Sequence, residues 1–164
     1  MNNLETERKF LIKMPSLEKL SSLSNIQKVD IIQTYTTIGV RLRRWEENGE
    51  ISYIKTEKTK LTDLTRIEIE SKITKEEYQR LTAFADKECN PIEKIRYRYP
   101  FMEKLIEIDV FPFWSKQAFC EVELQSEDEE FLLPDFIEVI REVTHDKHYR
   151  NYSLAKKIPK EDNF

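Results

Sequence analysis

Charged side chains recur at every second position in several short segments of this sequence. Glu5, Glu7 and Lys9 alternate with other residues near the N-terminus. Residues two positions apart project from the same face of a β-strand, so each such segment predicts a strand with one charged face. Such faces could bind phosphate through the bases and a hard divalent cation through the carboxylates. The remaining segments carry Arg41 and Arg43; Arg66, Glu68 and Glu70; Lys94, Arg96 and Arg98; Glu107 and Asp109; and Glu121 and Glu123.

The charged faces admit two interpretations. They could be the solvent-exposed side of an antiparallel sheet whose apolar positions, such as Ile106 and Ile108, pack against helices. Against this, like charges follow one another within a strand, and almost no Ser, Thr, Asn or Gln dilutes them. If the strands close into a barrel, the charged faces turn inward, where unpaired charges are costly. A polyphosphate with divalent cations would neutralise both signs of charge.

Eight segments have the length and the β-branched or aromatic content of strands. Asn48-Gly49 lies between two of them and is a strong hairpin signal, and Gly39 is expected to turn the preceding pair. Consecutive strands with short connections predict a mainly β fold, an eight-stranded antiparallel closed β-barrel with peripheral helices. The predicted strands are Leu4–Ile12, Ile31–Thr37, Val40–Glu46, Ile51–Lys58, Leu64–Ile73, Ile92–Tyr99, Leu105–Val110 and Phe119–Gln125.

Four helices are predicted around these strands. Thr74 and Glu77 have the spacing of a capping box and precede apolar residues at helical intervals. A short helix is expected at about Ser16–Leu23, and another at Ser126–Leu132, whose acidic first turn suits the helix dipole. A polar helix at about 149–158 is expected to follow the last strand.

Length and composition exclude several classes of protein. The 164 residues suit one domain spanning 1–164, and 31 acids against 27 bases argue against a nucleic-acid partner. Two glycines are too few for Gly-rich nucleotide-binding loops. Two cysteines without CxxC spacing indicate a reducing compartment. Because no segment looks like a signal peptide or a membrane span, we expect a cytoplasmic protein without a membrane partner.

The charged segments together resemble a known family. ETERK at residues 5–9 is similar to the ExExK signature of the CYTH domain, found in the triphosphate tunnel metalloenzymes, and the small bacterial inorganic triphosphatases are the nearest in kind. Further elements follow in the family's order, which makes the match specific. They are RLR at 41–43, the lone strand lysine Lys55, RIEIE at 66–70, EKIRY at 93–97, EID at 107–109, EVE at 121–123 and EVTHDKHYRN at 142–151.

The resemblance implies roles for individual residues. Glu68 and Glu70 would make outer contacts to the metals, and Tyr35 or Lys94 would accept the proton of the attacking water. The C-terminal helix would plug one end of the tunnel. Phosphoryl oxygens would be held by Lys9, Arg41, Arg43, Lys55, Arg66, Lys94 and Arg96. Two ions of Mg²⁺ or Mn²⁺ would be held by Glu5, Glu7, Asp109, Glu121 and Glu123.

The implied activity is metal-dependent hydrolysis of a small-molecule polyphosphate, with inorganic triphosphate giving diphosphate and phosphate. A class IV adenylate cyclase, a thiamine triphosphatase and a nucleoside triphosphatase are alternatives within the same resemblance. A polyphosphate-binding module without turnover is an alternative of another class. Relatives are often dimers, so a homodimer is also allowed.

Overall fold

The backbone of the computed structural model, described for residues 4–62 and 64–164, forms one sheet that closes on itself. Antiparallel pairing runs in the order β5-β4-β3-β2-β6-β7-β8-β1, and β1 pairs with β5 to close an eight-stranded barrel, as predicted. A ninth strand, β9, pairs with β1 outside the ring. The strands are β1 (Leu4–Lys13), β2 (Gln27–Tyr35), β3 (Val40–Glu47), β4 (Glu50–Lys60), β5 (Thr65–Ile73), β6 (Ile92–Phe101), β7 (Lys104–Val110), β8 (Gln117–Leu124) and β9 (Val139–Glu142).

Tight turns join the early strands. The predicted hairpin at Asn48-Gly49 joins β3 to β4, and both residues have positive φ, 51° and 79°. Gly39, at φ 77°, turns the chain between β2 and β3. Positive φ at both central residues is the requirement of a two-residue hairpin turn, which Asn-Gly meets with little strain.

The outer face of β1 and β6–β8 carries the larger apolar core. Phe10, Ile106, Ile108 and Val122 are buried there, where α1 and the segment 126–137 cover them. Burying a side chain of this size stabilises the fold by roughly 1.5–3 kcal/mol. This packing leaves the opposite, charged faces of the same strands pointing into the barrel.

A second core closes one end of the barrel interior. Leu11, Ile92, Phe111 and Phe119 each lie two positions along the chain from an inward charged residue, Phe111 directly after the end of β7, and they continue the inner face. They pack against side chains from the C-terminal region. We call these four residues the barrel floor. The C-terminal contributors are Val143, Tyr149, Leu154 and Ala155.

Three short helices accompany the barrel: α1 (Leu17–Ser22), α2 (Lys75–Thr82) and α3 (Asn151–Lys156), the last of which packs against the floor. Ser16 caps α1 and Thr74 caps α2, each accepting a hydrogen bond from the backbone N–H three residues on. A 3-10 turn at Lys147–Tyr149 precedes α3, so the predicted C-terminal helix is present but shorter. No helix in the described part of the chain has the length and hydrophobicity needed to cross a bilayer.

The helix predicted at Ser126–Leu132 is wrong, because its acidic residues are used elsewhere. The Glu127 carboxylate accepts hydrogen bonds from the hydroxyls of Thr62 and Thr65. The Glu129 carboxylate accepts from the Gln125 N–H and pairs with a lysine of β7. These contacts hold an irregular segment across the barrel wall, where a helix would turn the carboxylates away.

Candidate functional site

The strand register brings the predicted charged faces together inside the barrel. Glu5 lies opposite Arg66 of β5, Glu7 opposite Glu123 of β8, and Lys9 opposite Glu121. Paired residues of adjacent strands share a face, so these side chains all point inward. The inner surface thus combines carboxylates and bases at close range, above the apolar floor.

A buried ion-pair network occupies the β6–β8 side of the interior. The Asp109 carboxylate accepts hydrogen bonds from Lys94 Nζ (2.8 Å), Arg96 Nε (2.7 Å) and Arg96 Nη2 (2.8 Å). Arg96 Nη1 also donates to Glu107 at 3.2 Å, and Nη2 lies 4.0 Å from Glu121. We call these five residues the fixed network. The exposed fractions of the Lys94 and Asp109 side chains are 1% and 0%.

The fixed network determines the protonation of its members. Burial disfavours the ionised form of Asp109, but Arg96 and Lys94 outweigh it and hold the pKa of Asp109 well below its usual value. Burial likewise opposes ionisation of Glu121, yet Lys9 and Arg96 lower its pKa to about 2. Both carboxyl groups are therefore charged at neutral pH. The hydrogen bonds from Lys94 and Arg96 satisfy Asp109, whereas the buried Oε1 of Glu121 has no hydrogen-bond partner in the described part of the chain.

The β3–β5 side of the interior is open. It borders a cavity of about 680 Å³ lined, among the described residues, by six cations and two carboxylates. Arg41 and Lys58 both reach Glu68, at 3.0 and 3.2 Å, and Arg66 reaches Glu7 at 3.4 Å. The cavity therefore has an excess of positive charge, which suits an anionic ligand. Its cations are Lys9, Arg41, Lys58, Lys60, Arg66 and Arg150, and its carboxylates are Glu7 and Asp86.

Lys55 does not take the inward position predicted for it. Its partners in the sheet are Leu42 and Ser71, on the outer face of the barrel. Lys58 of the same strand pairs with Glu68 and lines the cavity. The prediction that Lys55 faces the triphosphate is therefore wrong. Both faces of β4 carry lysine, and only the register with the neighbouring strands β3 and β5 shows which lysines are inside.

Four of the predicted metal ligands form a carboxylate group on β1 and β8. Burial and the neighbouring Glu68 raise the pKa of Glu5 to about 9, and burial and Glu121 raise that of Glu7. Burial and nearby carboxylates also raise the pKa of Glu123. A divalent cation would offset both the burial and the neighbouring negative charges, and carboxylate oxygens are the donors that Mg²⁺ and Mn²⁺ prefer.

The donor chemistry thus fits a divalent cation, although the side chains are not gathered around one point. Among residues 4–62 and 64–164, no three His, Cys, Asp or Glu side chains converge closely enough to enclose an ion. Asp109, also predicted as a ligand, already accepts three hydrogen bonds from cations. Of the five predicted metal ligands, those that best suit a divalent cation are therefore Glu5, Glu7, Glu121 and Glu123.

The predicted outer carboxylates pair with the predicted arginines. Glu68 accepts from Arg41 Nη2 at 3.0 Å, and Glu70 forms a short ion pair with Arg43. Burial opposes ionisation of Glu68, but its hydrogen bond with Glu5 and the charge of Lys58 lower its pKa to about 2. These contacts hold the arginines of β3 against the inner wall.

The two candidate bases differ in electrostatic environment. Burial raises the pKa of Tyr35 to about 12, although Arg41 acts in the opposite direction. Burial and Arg96 lower the pKa of Lys94 to about 8. A base must lose its proton near neutral pH, so the environment favours Lys94 over Tyr35.

The C-terminal region contacts residues of the barrel interior. The Tyr149 carbonyl accepts a hydrogen bond from Lys9 Nζ at 3.2 Å, and Tyr152 packs edge-on against Tyr35 with ring centroids 5.2 Å apart. Arg150 lines the open cavity. Sequence reasoning missed Arg150, Lys58 and Lys60. For the two lysines, alternation in β4 places them on the face opposite Lys55 without showing which face is inside, and only tertiary structure brings Arg150 to the cavity.

The sequence matches the family model described as CYTH domain over residues 3–157. It is similar to two crystal structures of the protein NE1496, one described as a hypothetical protein and one as an inorganic triphosphatase. The first is 30% identical with a TM-score of 0.58, over 94% of this chain and 99% of that one. The second is 29% identical with a TM-score of 0.57, over 95% and 97%.

A conserved hypothetical protein from Pyrococcus furiosus shares the fold at 17% identity, with a TM-score of 0.50 over 76% of this chain and 80% of that one. None of the functionally curated proteins matches this sequence significantly.

Proposed function

The chain belongs to the CYTH domain family, and we propose that it hydrolyses inorganic triphosphate to diphosphate and phosphate inside the barrel, with Mg²⁺ or Mn²⁺ as cofactor. The observation that carries the proposal is the open cavity, in which cations outnumber carboxylates. The similarity to NE1496, described as an inorganic triphosphatase, supports the same substrate. A small-molecule polyphosphate is thus the expected partner.

The open side of the barrel supplies the binding groups. Guanidinium groups grip phosphoryl oxygens through two parallel hydrogen bonds, and an ammonium group acts as a point charge that adjusts to its ligand. Arg41 and Arg66 are each held by one carboxylate and face the cavity, while Lys58 lies between them. The end phosphoryl groups of a triphosphate would be gripped from more than one strand at once.

The fixed network supplies the Arg96 guanidinium as a cation and holds the Lys94 amine, the proton acceptor proposed below, at a fixed position. Asp109 holds Lys94 and Arg96 in place, and each retains N–H donors beyond those that Asp109 accepts. Preorganised cations stabilise the charge that develops on the transferred phosphoryl group and on the leaving diphosphate without reorganising. Arg43, whose pKa burial and Arg41 lower to about 10, remains cationic at neutral pH and adds to this field.

Divalent ions would be held by Glu5, Glu7, Glu121 and Glu123, the carboxylates whose donor chemistry fits. When bound, such an ion supplies Lewis acidity to a phosphoryl oxygen and lowers the pKa of a water molecule. The protein's own contribution is to place these carboxylates on β1 and β8, directly beside Lys9 and opposite the cations of β3–β5.

Lys94 is proposed as the group that accepts a proton from the attacking water. With a pKa of about 8, a useful fraction of its side chain is neutral near pH 7–8. Tyr35 instead keeps its proton and accepts a hydrogen bond from the Gln33 amide at 2.9 Å. Retention of near-full turnover by Lys94→Gln would exclude Lys94 from this role.

Product analysis tests the proposal. Inorganic triphosphate, ATP and thiamine triphosphate are incubated separately with the protein and Mg²⁺ or Mn²⁺, with and without a chelator. We expect phosphate and diphosphate from inorganic triphosphate, little product from ATP, and no product in chelator. Phosphate from inorganic triphosphate that is unaffected by chelator would contradict the metal requirement.

The alternatives give different products in the same experiment. Cyclic AMP and diphosphate from ATP would identify a cyclase, and faster release from thiamine triphosphate or ATP would change the substrate. Triphosphate that raises the melting temperature without yielding product would identify a binding module. Each of these three results contradicts the proposal.

A further inference from the structure

The last residues of the chain cross the closed end of the barrel after α3. Trp114 Nε1 donates a hydrogen bond to the Pro159 carbonyl at 3.1 Å. The Glu161 carboxylate accepts from the backbone N–H groups of Ser115 and Lys116. We call residues 159–164 the C-terminal strap. It lies outside the interior and contains none of the residues proposed to bind substrate.

Asp162 connects the strap to the region beneath the floor. Its backbone N–H donates to the fully buried Gln117 side chain at 2.8 Å. Its carboxylate accepts from Arg141 Nε at 3.0 Å, and the Tyr149 hydroxyl lies 3.5 Å from the other oxygen. Arg141 Nη2 in turn donates to the Tyr149 hydroxyl at 2.9 Å. Asp162 thus contacts both a guanidinium and a phenol, and Asp146 pairs with the same guanidinium through Arg141 Nη1 at 3.6 Å.

Tyr149 links this group to the cavity. Its ring packs against the floor residue Phe119, with centroids 6.1 Å apart, and its carbonyl accepts from Lys9 Nζ at 3.2 Å. The ammonium of Lys9 also lies 4.6 Å from the Phe119 ring centroid and 3.4 Å from Glu121. Lys9 lines the cavity, so a shift of the Tyr149 backbone would displace a substrate-facing charge.

We infer that Asp162 is a positioning residue, which acts through Arg141 and Tyr149 to fix the ammonium of Lys9 in the cavity. This inference rests on the proposed function, because it assigns Lys9 to the triphosphate. Hydrogen bonds weaken steeply with distance and angle, so a carbonyl that is free to move holds an ammonium poorly. The effect of losing Asp162 falls on substrate binding, since no reacting group touches the strap.

The test compares Asp162→Ala with Asp135→Ala, which removes an exposed carboxylate from the irregular segment before β9. For Asp162→Ala we expect the KM for inorganic triphosphate to rise about tenfold, the effect of weakening one charged hydrogen bond, with kcat changed less than about twofold. Asp135→Ala leaves both constants unchanged. An unchanged KM in Asp162→Ala overturns the inference.

Two further variants establish the route. If Asp162 acts through Arg141, the double variant Asp162→Ala/Arg141→Gln has the same KM as Arg141→Gln alone, and additive losses overturn this route. Deleting residues 161–164 gives the KM of Asp162→Ala and changes the fluorescence of Trp114, which reports whether the strap is docked. A fluorescence change with a wild-type KM overturns the inference.

A wild-type protein that releases no phosphate rejects the proposed function separately. Calorimetric titration of inorganic triphosphate in chelator then decides the inference, because it measures binding without turnover. Weaker binding by Asp162→Ala than by Asp135→Ala supports the positioning role, and equal binding overturns it.

Discussion

The β6–β8 and β3–β5 sides of the barrel interior carry similar residue types but satisfy their charges differently. On the first side, Asp109 accepts three hydrogen bonds from Lys94 and Arg96, and the Lys94 side chain is only 1% exposed. On the second, Lys58 and Arg66 have side chains 29% and 28% exposed and border the cavity. The charges on the β6–β8 side are neutralised within the protein and stabilise the site, whereas those on the β3–β5 side are accessible to a ligand.

Strand alternation alone could not assign roles to these inward charged residues. A charged residue at every second position places a side chain inside the barrel, but it does not say whether another residue already neutralises it. Asp109 was predicted to bind metal from its motif, yet the register opposite Arg96 makes it an anchor for cations. Cross-strand neighbours decide this, and they are known only once the barrel closes.

The fixed network should fail most severely when its central carboxylate is removed. Asp109→Asn removes the carboxylate that pairs with buried Lys94 at 2.8 Å and with Arg96 at 2.7 Å, and we expect a loss of about 3–5 kcal/mol in the free energy of unfolding. Urea denaturation measures it, with the exposed Asp128→Asn as the matched control. Equal free energies of unfolding for the two variants would show that the fixed network does not stabilise the fold.

On the open side, loss of a cation should weaken binding while stability remains. Lys58→Met keeps the length of the side chain, and we expect its KM for inorganic triphosphate to rise roughly tenfold to a hundredfold, the effect of losing a charge-assisted contact. Lys55→Met, on the outer face of the same strand, is the control and should match wild type. If Lys55→Met is the more damaged variant, the β4 register is wrong.

Tyr35 tests whether proximity to the cavity is sufficient for a catalytic role. Because its phenol stays protonated at neutral pH, Tyr35→Phe should retain kcat within about threefold, whereas a lost general base costs about 10²–10⁴-fold. The variant should lose about 1 kcal/mol of stability, since the Gln33 amide loses its acceptor. A pH–rate profile and a denaturation curve measure both. A kcat reduced a hundredfold would restore Tyr35 as the base.

The smallest effect is expected at an ion pair outside the barrel, between Arg8 and Glu142, with side chains each 32% exposed. Arg8→Gln should cost less than about 1 kcal/mol. The hydrogen bond from Arg8 lowers the pKa of Glu142 below 4.5, so the pair stabilises the fold above pH 4.5 and less at lower pH. Urea midpoints at about pH 3 and pH 7 should therefore converge between wild type and variant on acidification. A larger difference in acid would contradict this sign.

Much of the fold followed from the sequence because its signals are local. Alternation in β1 and β5, the Asn48-Gly49 turn and the Thr74 cap each depend on a few neighbouring residues. The errors arose where distant contacts decide. Glu127 bonds to two threonines 62 and 65 residues away in sequence, and these contacts hold an irregular segment where a helix was predicted. No strand was predicted at β9, which is only four residues long and forms by pairing with the distant β1.

The site was predictable to the same extent. The inward positions of Glu5, Glu7 and Lys9 follow from strand alternation and agree with the register. Lys55 failed because lysines occur on both faces of β4, so the sequence contains no local signal for which face is inside. The roles of the inward residues are predictions, and the central prediction is that the open β3–β5 side of the barrel holds the ligand.

A crystal structure of the protein with inorganic triphosphate, grown in chelator so that no turnover occurs, is the most direct test of whether the open side holds the ligand. We expect phosphoryl oxygens within hydrogen-bond distance of Lys58 and Arg66 inside the cavity, with Asp109 still paired to Arg96. A triphosphate bound outside the barrel, or inside it without contact to Lys58 and Arg66, would contradict binding on the open side.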